Sequence, residues 1–196
     1  MTPPSRSQAA RPTATVDRRV GPKVAPGRLK DIQALINTWA VGQPDQLATA
    51  ASSHYWLASI GAWPLKSAPS TAEVKQLTRL RFHLRMHLLK RPETKHAGCL
   101  NGLLSSGAVS IAFRPDSSIG FIHSGKRLDH AFSVLSDIIA THAGDGTWQR
   151  LKCCPECGWC YYDGTKNRSG KWCSMEACGS RMKSQRYRQR RKRESA

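Results

Sequence analysis

The chain has 196 residues, a length that fits one or two modest domains and excludes a large multidomain assembly. Thirty-one Lys and Arg against 13 Asp and Glu leave a net charge of +18, which excludes a near-neutral enzyme surface and points to a polyanionic partner, nucleic acid or an anionic membrane. No stretch approaches the roughly 18 continuous apolar residues that a bilayer span requires.

The charge sits mainly at the two ends. Residues 1–28 hold six Lys/Arg and one acid (net +5), residues 29–149 twelve and eight (net +4), and residues 150–196 thirteen and four (net +9). The first 28 residues also carry five of the eleven prolines and almost no large apolar side chains. Such a segment cannot offset the entropy of ordering, so a disordered basic arm is predicted. Arg18-Arg19 is not followed by an apolar run, so neither a secretory nor a twin-arginine leader is expected, and the cytoplasm is the expected compartment.

Helical periodicity begins at Arg28. Leu29, Ile32, Leu35, Ile36 and Trp39 recur at three- and four-residue steps on one face, and Gly42 and Pro44 end that helix. Asp45 is placed to cap a second helix carrying Leu47, Ala48, Ala51, Tyr55 and Trp56, closed by Gly61 and Pro64. Ser70 and Glu73 stand at capping-box spacing before a third helix. Its stripe is Val74, Leu77, Leu80, Leu84 and Leu88, with Arg79, Arg81, Arg85 and Lys90 pointing elsewhere. From 107 to 124 the period changes. Ala108–Arg114 and Ile119–His123 flank a Pro115–Ser118 turn and predict a β-hairpin. A last helix of this region runs from about Leu128 to Thr141, with Phe132, Leu135, Ile138 and Ile139 inward.

Candidate ligands in this middle region are few. His83 and His87 stand at i and i+4, but no Glu follows His83, and Arg81 and Arg85 repel a cation, so a helix face without metal is expected. Cys99 stands alone and reads as a small buried hydrophobe. Trp39, Trp56 and Trp63 could line a small-molecule pocket, but core packing is the expected use.

Six of the seven cysteines fall between 153 and 178. In a cytosolic chain such clustering signals metal rather than disulfides. Cys154 and Cys157 form a knuckle, and beyond fifteen intervening residues the pair Cys173 and Cys178 closes a four-thiolate shell. Four cysteines leave no open position for water, so one structural Zn2+ is predicted. Cys153 and Cys160 are surplus, which keeps Cys153 open as the first ligand and a redox thiol set open as another use.

Lys152 to Arg190 resembles the CGNR zinc finger, found at the C-terminus of bacterial proteins regarded as transcription regulators. The motifs that carry the resemblance are Cys154 and Cys157, Tyr161-Tyr162-Asp163, Thr165-Lys166-Asn167, Trp172-Cys173-Ser174-Met175 and Cys178-Gly179-Ser180-Arg181. It aligns Cys154, within Cys-Pro-x-Cys, as the first ligand. Upstream, Ile36-Asn37-Thr38 lies in a region similar to the ABATE domain that usually precedes this finger. Ser180 replaces the family Asn, Lys166 the usual Arg, and Thr165 the usual Ser. None of these touches a cysteine. Ser also forms local backbone bonds, so it can stand in for Asn at a turn.

After Cys178 come Arg181, Lys183, Arg186, Arg188, Arg190, Arg191, Lys192 and Arg193, with Glu194 the one acid. Cations at this density neutralise phosphates and give salt-sensitive, sequence-independent affinity. The resemblance implies duplex DNA; the residues alone also admit structured RNA. A zinc-scaffolded nuclease needs His and carboxylates beside the finger, and residues 150–196 contain no His, so no enzyme is expected. The predicted architecture is a mainly α domain with a small β-hairpin over 29–149, similar to ABATE, then a four-cysteine finger with a basic C-terminal helix over 150–196. A homodimer is a further expectation.

Overall fold

The computed structural model describes residues 23–63, 67–89 and 94–194. Residues 1–22 of the predicted arm, Pro64 and Lys90 lie outside the described residues. Helix α1 (Leu29–Asn37) buries Leu29, Ile32, Leu35 and Ile36 completely, the stripe that the periodicity predicts. Trp39 lies past its end, exposed and stacked under Arg85.

The second helix begins later than expected. Helix α2 (Ala50–Ser59) is capped by Thr49 with Ser52 in a reciprocal box, not by Asp45. Asp45 is needed elsewhere. Its two oxygens accept from both terminal nitrogens of Arg81 at 2.6 and 2.7 Å, and it also accepts from Leu47 N–H. Arg81 is buried, so its guanidinium demands a carboxylate. The bond from Arg81 holds the Asp45 carboxyl below its usual pKa.

Helix α3 (Thr71–Leu88) starts at the Ser70–Glu73 box as predicted. Glu73 also takes Arg127 in a two-pronged ion pair at 2.7 and 2.6 Å, which pulls its pKa down to about 2. Arg81 and Arg85 leave the apolar stripe without reaching solvent. Arg85 donates to the carbonyls of Ile36 and Trp39, capping the loose end of α1.

Helix α4 (Thr94–Leu104) has no counterpart in the sequence reading. Its two glycines lower helix propensity, and its place is set by packing on α3, where His83 and His96 meet Nδ1 to Nδ1 at 3.0 Å. Burial, then the neighbouring His96, lowers the His83 pKa. His87, one turn further along α3, is exposed, whereas His83 is buried against His96. Cys99 is only half-buried.

Strands β1 (Val109–Phe113) and β2 (Ile119–His123) form the expected antiparallel hairpin, with Ile111 opposite Phe121. Helix α5 (Leu128–Gly144) runs three residues beyond Thr141. A second hairpin follows that the sequence reading lacks: β3 (Leu151–Cys153) and β4 (Cys160–Tyr162). Among the described residues the fold is thus mainly helical with two small hairpins, not one.

The main core gathers Leu29, Ile32, Leu57, Leu80, Leu84, Phe132 and Leu135, and it continues into Leu151, Cys153 and Cys160 of the second hairpin. A polar seam fastens that hairpin to α1. Cys160 N–H donates to Asn37 Oδ1 at 2.7 Å, and Asn37 Nδ2 donates back to Cys160 O at 2.8 Å. Gln33 Nε2 donates to Cys160 O and Lys23 O, while Tyr162 N–H donates to Lys23 O at 2.9 Å. Asn37→Ala should strand the buried Cys160 N–H and cost about 2 kcal/mol, read in urea as a lower midpoint with unchanged slope. An unchanged midpoint would show that water or a neighbour replaces the amide.

Candidate metal centre

Adjacent residues on a strand face opposite ways. Cys153, opposite Cys160, turns into the main core, and Cys154, next along the chain, turns into a second small cluster. That alternation settles which neighbour joins the knuckle. The loop Cys154–Trp159 is closed by Cys154 N–H to Trp159 O and Gly158 N–H to Cys154 O, at 2.9 and 2.8 Å. Gly158 takes φ of +73°, a conformation that favours glycine.

The second ligand pair rests on an unusual turn. Ser174 caps a π-type turn (Met175–Gly179), its hydroxyl accepting from Ala177 N–H. Gly179 N–H reaches back five residues to Ser174 O at 3.1 Å. The wide turn brings Cys178 beneath Cys173, which an ordinary helical turn does not do at this spacing. Ser180, in the place of the family Asn, donates to Met175 O at 3.1 Å and fastens the same turn. Helix α6 (Ser180–Glu194) follows directly, with no buried residue along it.

The four sulfurs of Cys154, Cys157, Cys173 and Cys178 lie within 4.8 Å of one another, three buried and Cys157 half-buried. Cys157–Cys173 and Cys173–Cys178 stand at 3.6 and 3.7 Å. Four thiolates at 2.3 Å from a tetrahedral zinc are about 3.8 Å apart, so the cage matches that ion in ligand type, number and spacing. Held this close, the sulfurs share protons. Bonds from Cys157 and Cys173 hold the Cys154 thiol far below its usual pKa, and the bond to Cys154 pushes Cys157 up to about 12. One zinc ion would supply a closed, structural cross-link here, with all four ligand places taken by this chain.

A buried carboxylate orders the loop between the ligand pairs. Asp163 accepts from Lys152 Nζ at 2.6 Å, Thr165 Oγ1 at 2.7 Å, Thr165 N–H at 3.1 Å and Gly170 N–H at 2.8 Å. Burial opposes its charge, but Lys152 and Thr165 outweigh it, and the carboxyl ionises well below the usual range. Thr165 also accepts from Ser169 N–H, so the hydroxyl that replaces the family Ser keeps a full set of bonds. A side chain at Gly170 would strike the Asp163 carboxylate, 2.8 Å from where a Cβ would sit. No sequence signal marked Asp163 or Lys152 beyond the aromatic-Asp step of the resemblance.

Of the predicted nucleic-acid residues, all eight lie on α6. At 100° per residue, Lys183, Arg186, Arg190 and Arg193 form one face, and Arg181, Arg188 and Lys192 the opposite one, with Arg191 between them. Arg181 is paired with Glu156 of the knuckle at 3.4 Å. Arg186 and Lys171 line one groove with Trp172, Pro155 and Leu88.

Residues 150–191 match the CGNR zinc finger family model, over nearly the span that the motifs mark. No curated protein matches the chain. Among the described residues, no helix is long and apolar enough to cross a membrane.

Native mass spectrometry should show one zinc per chain, lost in Cys154→Ser and Cys178→Ser but kept in Cys153→Ser. Thiolates are the ligands and protons compete for them, so zinc release to a chromogenic chelator should rise as pH falls. Zinc retained by both ligand variants would remove these four cysteines as the cage.

Proposed function

We propose that the protein is a zinc-dependent binder of duplex DNA, a transcription regulator rather than an enzyme, whose residues 29–149 form an ABATE-like sensing or dimerisation domain. One observation carries the reading. Arg186 lines both the groove that holds Lys171 and a second groove with Arg190 and Arg193, so a row of four cations passes from α6 onto the finger.

Zinc fixes where that row begins. With Cys178 held in the cage and Ser180 bonded to Met175 O, the first turn of α6 cannot swing independently of the finger. Helix α6 is about 22 Å long with no buried residue, and its diameter of roughly 10–12 Å fits the roughly 12 Å width of a B-form major groove. The deep, narrow major groove of A-form RNA does not admit such a rod. Lys152 is excluded from the row, because Asp163 and two carbonyls occupy its ammonium.

Phosphate contacts by four cations predict a slope near −3.6 for the logarithm of affinity against the logarithm of salt. Replacing Arg186 and Arg190 with Ala should cut that slope by about 2 and weaken all duplexes alike, with zinc content unchanged. Fluorescence anisotropy with duplex DNA and duplex RNA of one sequence measures both. An unchanged slope would sink the role of α6, and tighter RNA binding would sink the choice of DNA.

A further inference from the structure

The β1–β2 hairpin presents a contradiction between composition and position. By its register, Val109, Ile111, Phe113, Ile119, Phe121 and His123 share one face. At the base, His123 bonds Asp137 of α5 at 3.0 Å. The outer two rungs extend past that support, leaving Ile111, Phe113, Ile119 and Phe121 exposed by 64%, 81%, 63% and 45%. A two-stranded hairpin alone is marginal in water, and four large apolar side chains make it more so.

We infer that this face is a self-association surface, packing on the same face of a second copy about a twofold axis. Area supports that occupant. At roughly 200 Å² per side chain, the exposed fractions leave about 500 Å² per chain, so two copies bury about 1,000 Å², where specific pairing begins. Charge supports it too. On a chain of +18, residues 107–124 hold one Arg and one Asp, so this is a surface where two copies approach without repulsion. The same neutrality makes it a poor seat for nucleic acid. Residues 1–22 do not fit it either, since Met1, Val16 and Val20 are their only large apolar side chains. An isologous contact is self-complementary by symmetry, and interleaved Ile and Phe meet that condition.

Sedimentation velocity on the full-length, zinc-loaded protein, without nucleic acid, tests this independently of the DNA reading. The protein should be dimeric in the micromolar range. Phe113→Ser with Phe121→Ser should weaken the dimer about 100-fold or more, with zinc content and circular dichroism unchanged, and Phe113→Leu should keep it. Ile119→Arg is a second variant, at a rim position whose side chain is mostly in solvent. A monomeric parent protein, or a dimer that survives both the double variant and Ile119→Arg, would overturn the inference.

Discussion

A strand turns successive side chains to opposite sides, and in this chain that geometry joins two interiors. Cys153 belongs to the helical core and Cys154 to the thiolate cage, with a single peptide bond between them. The finger is therefore not hung on a linker. Leu151, Cys153 and Cys160 bury with α1 and α3, while Asn37 bonds the backbone of Cys160 at both its donor and its acceptor. Arg85, bonded to the end of α1, closes the same corner. Packing holds one side of the second hairpin, and the cage closes the other.

What could be read from residues alone follows the range of the interactions. Ser70 and Glu73 satisfy each other within one turn, so their spacing located α3. The four ligand cysteines lie within 25 residues, and their pairs could be grouped by spacing. Asp45 failed as a cap because Arg81, 36 residues away, claims both its oxygens. Arg81 and Arg85 could be placed off the apolar stripe but not paired, since their partners are distant carboxylates and carbonyls that no local pattern records. Helix α4 and the β3–β4 hairpin were invisible for a related reason. One contains two glycines and the other has three-residue strands, too short to show a period. Choosing between Cys153 and Cys154 needed the strand itself, or the family motif as a substitute.

The departures from the family pattern have local explanations. Thr165 keeps the hydroxyl that bonds Asp163, and its added methyl sits on an exposed residue. Ser180 reaches a carbonyl of the wide turn, a bond within the span of a shorter side chain. Lys166 is exposed, where a change from Arg alters little inside the fold.

Lys23 donates its ammonium to Trp172 O at 2.8 Å and lies over the Tyr161 ring, so the chain enters the fold on the finger itself. Lys23 and Ser180, 157 residues apart in sequence, are thereby anchored on the same small finger. On the proposed reading of α6 as a polyanion binder, the four arginines that precede Lys23 are tethered to the same finger, at an effective concentration on the order of millimolar for that ligand. On that reading the two segments act as a bivalent clamp, and release of one leaves the other to recapture the ligand before it diffuses away.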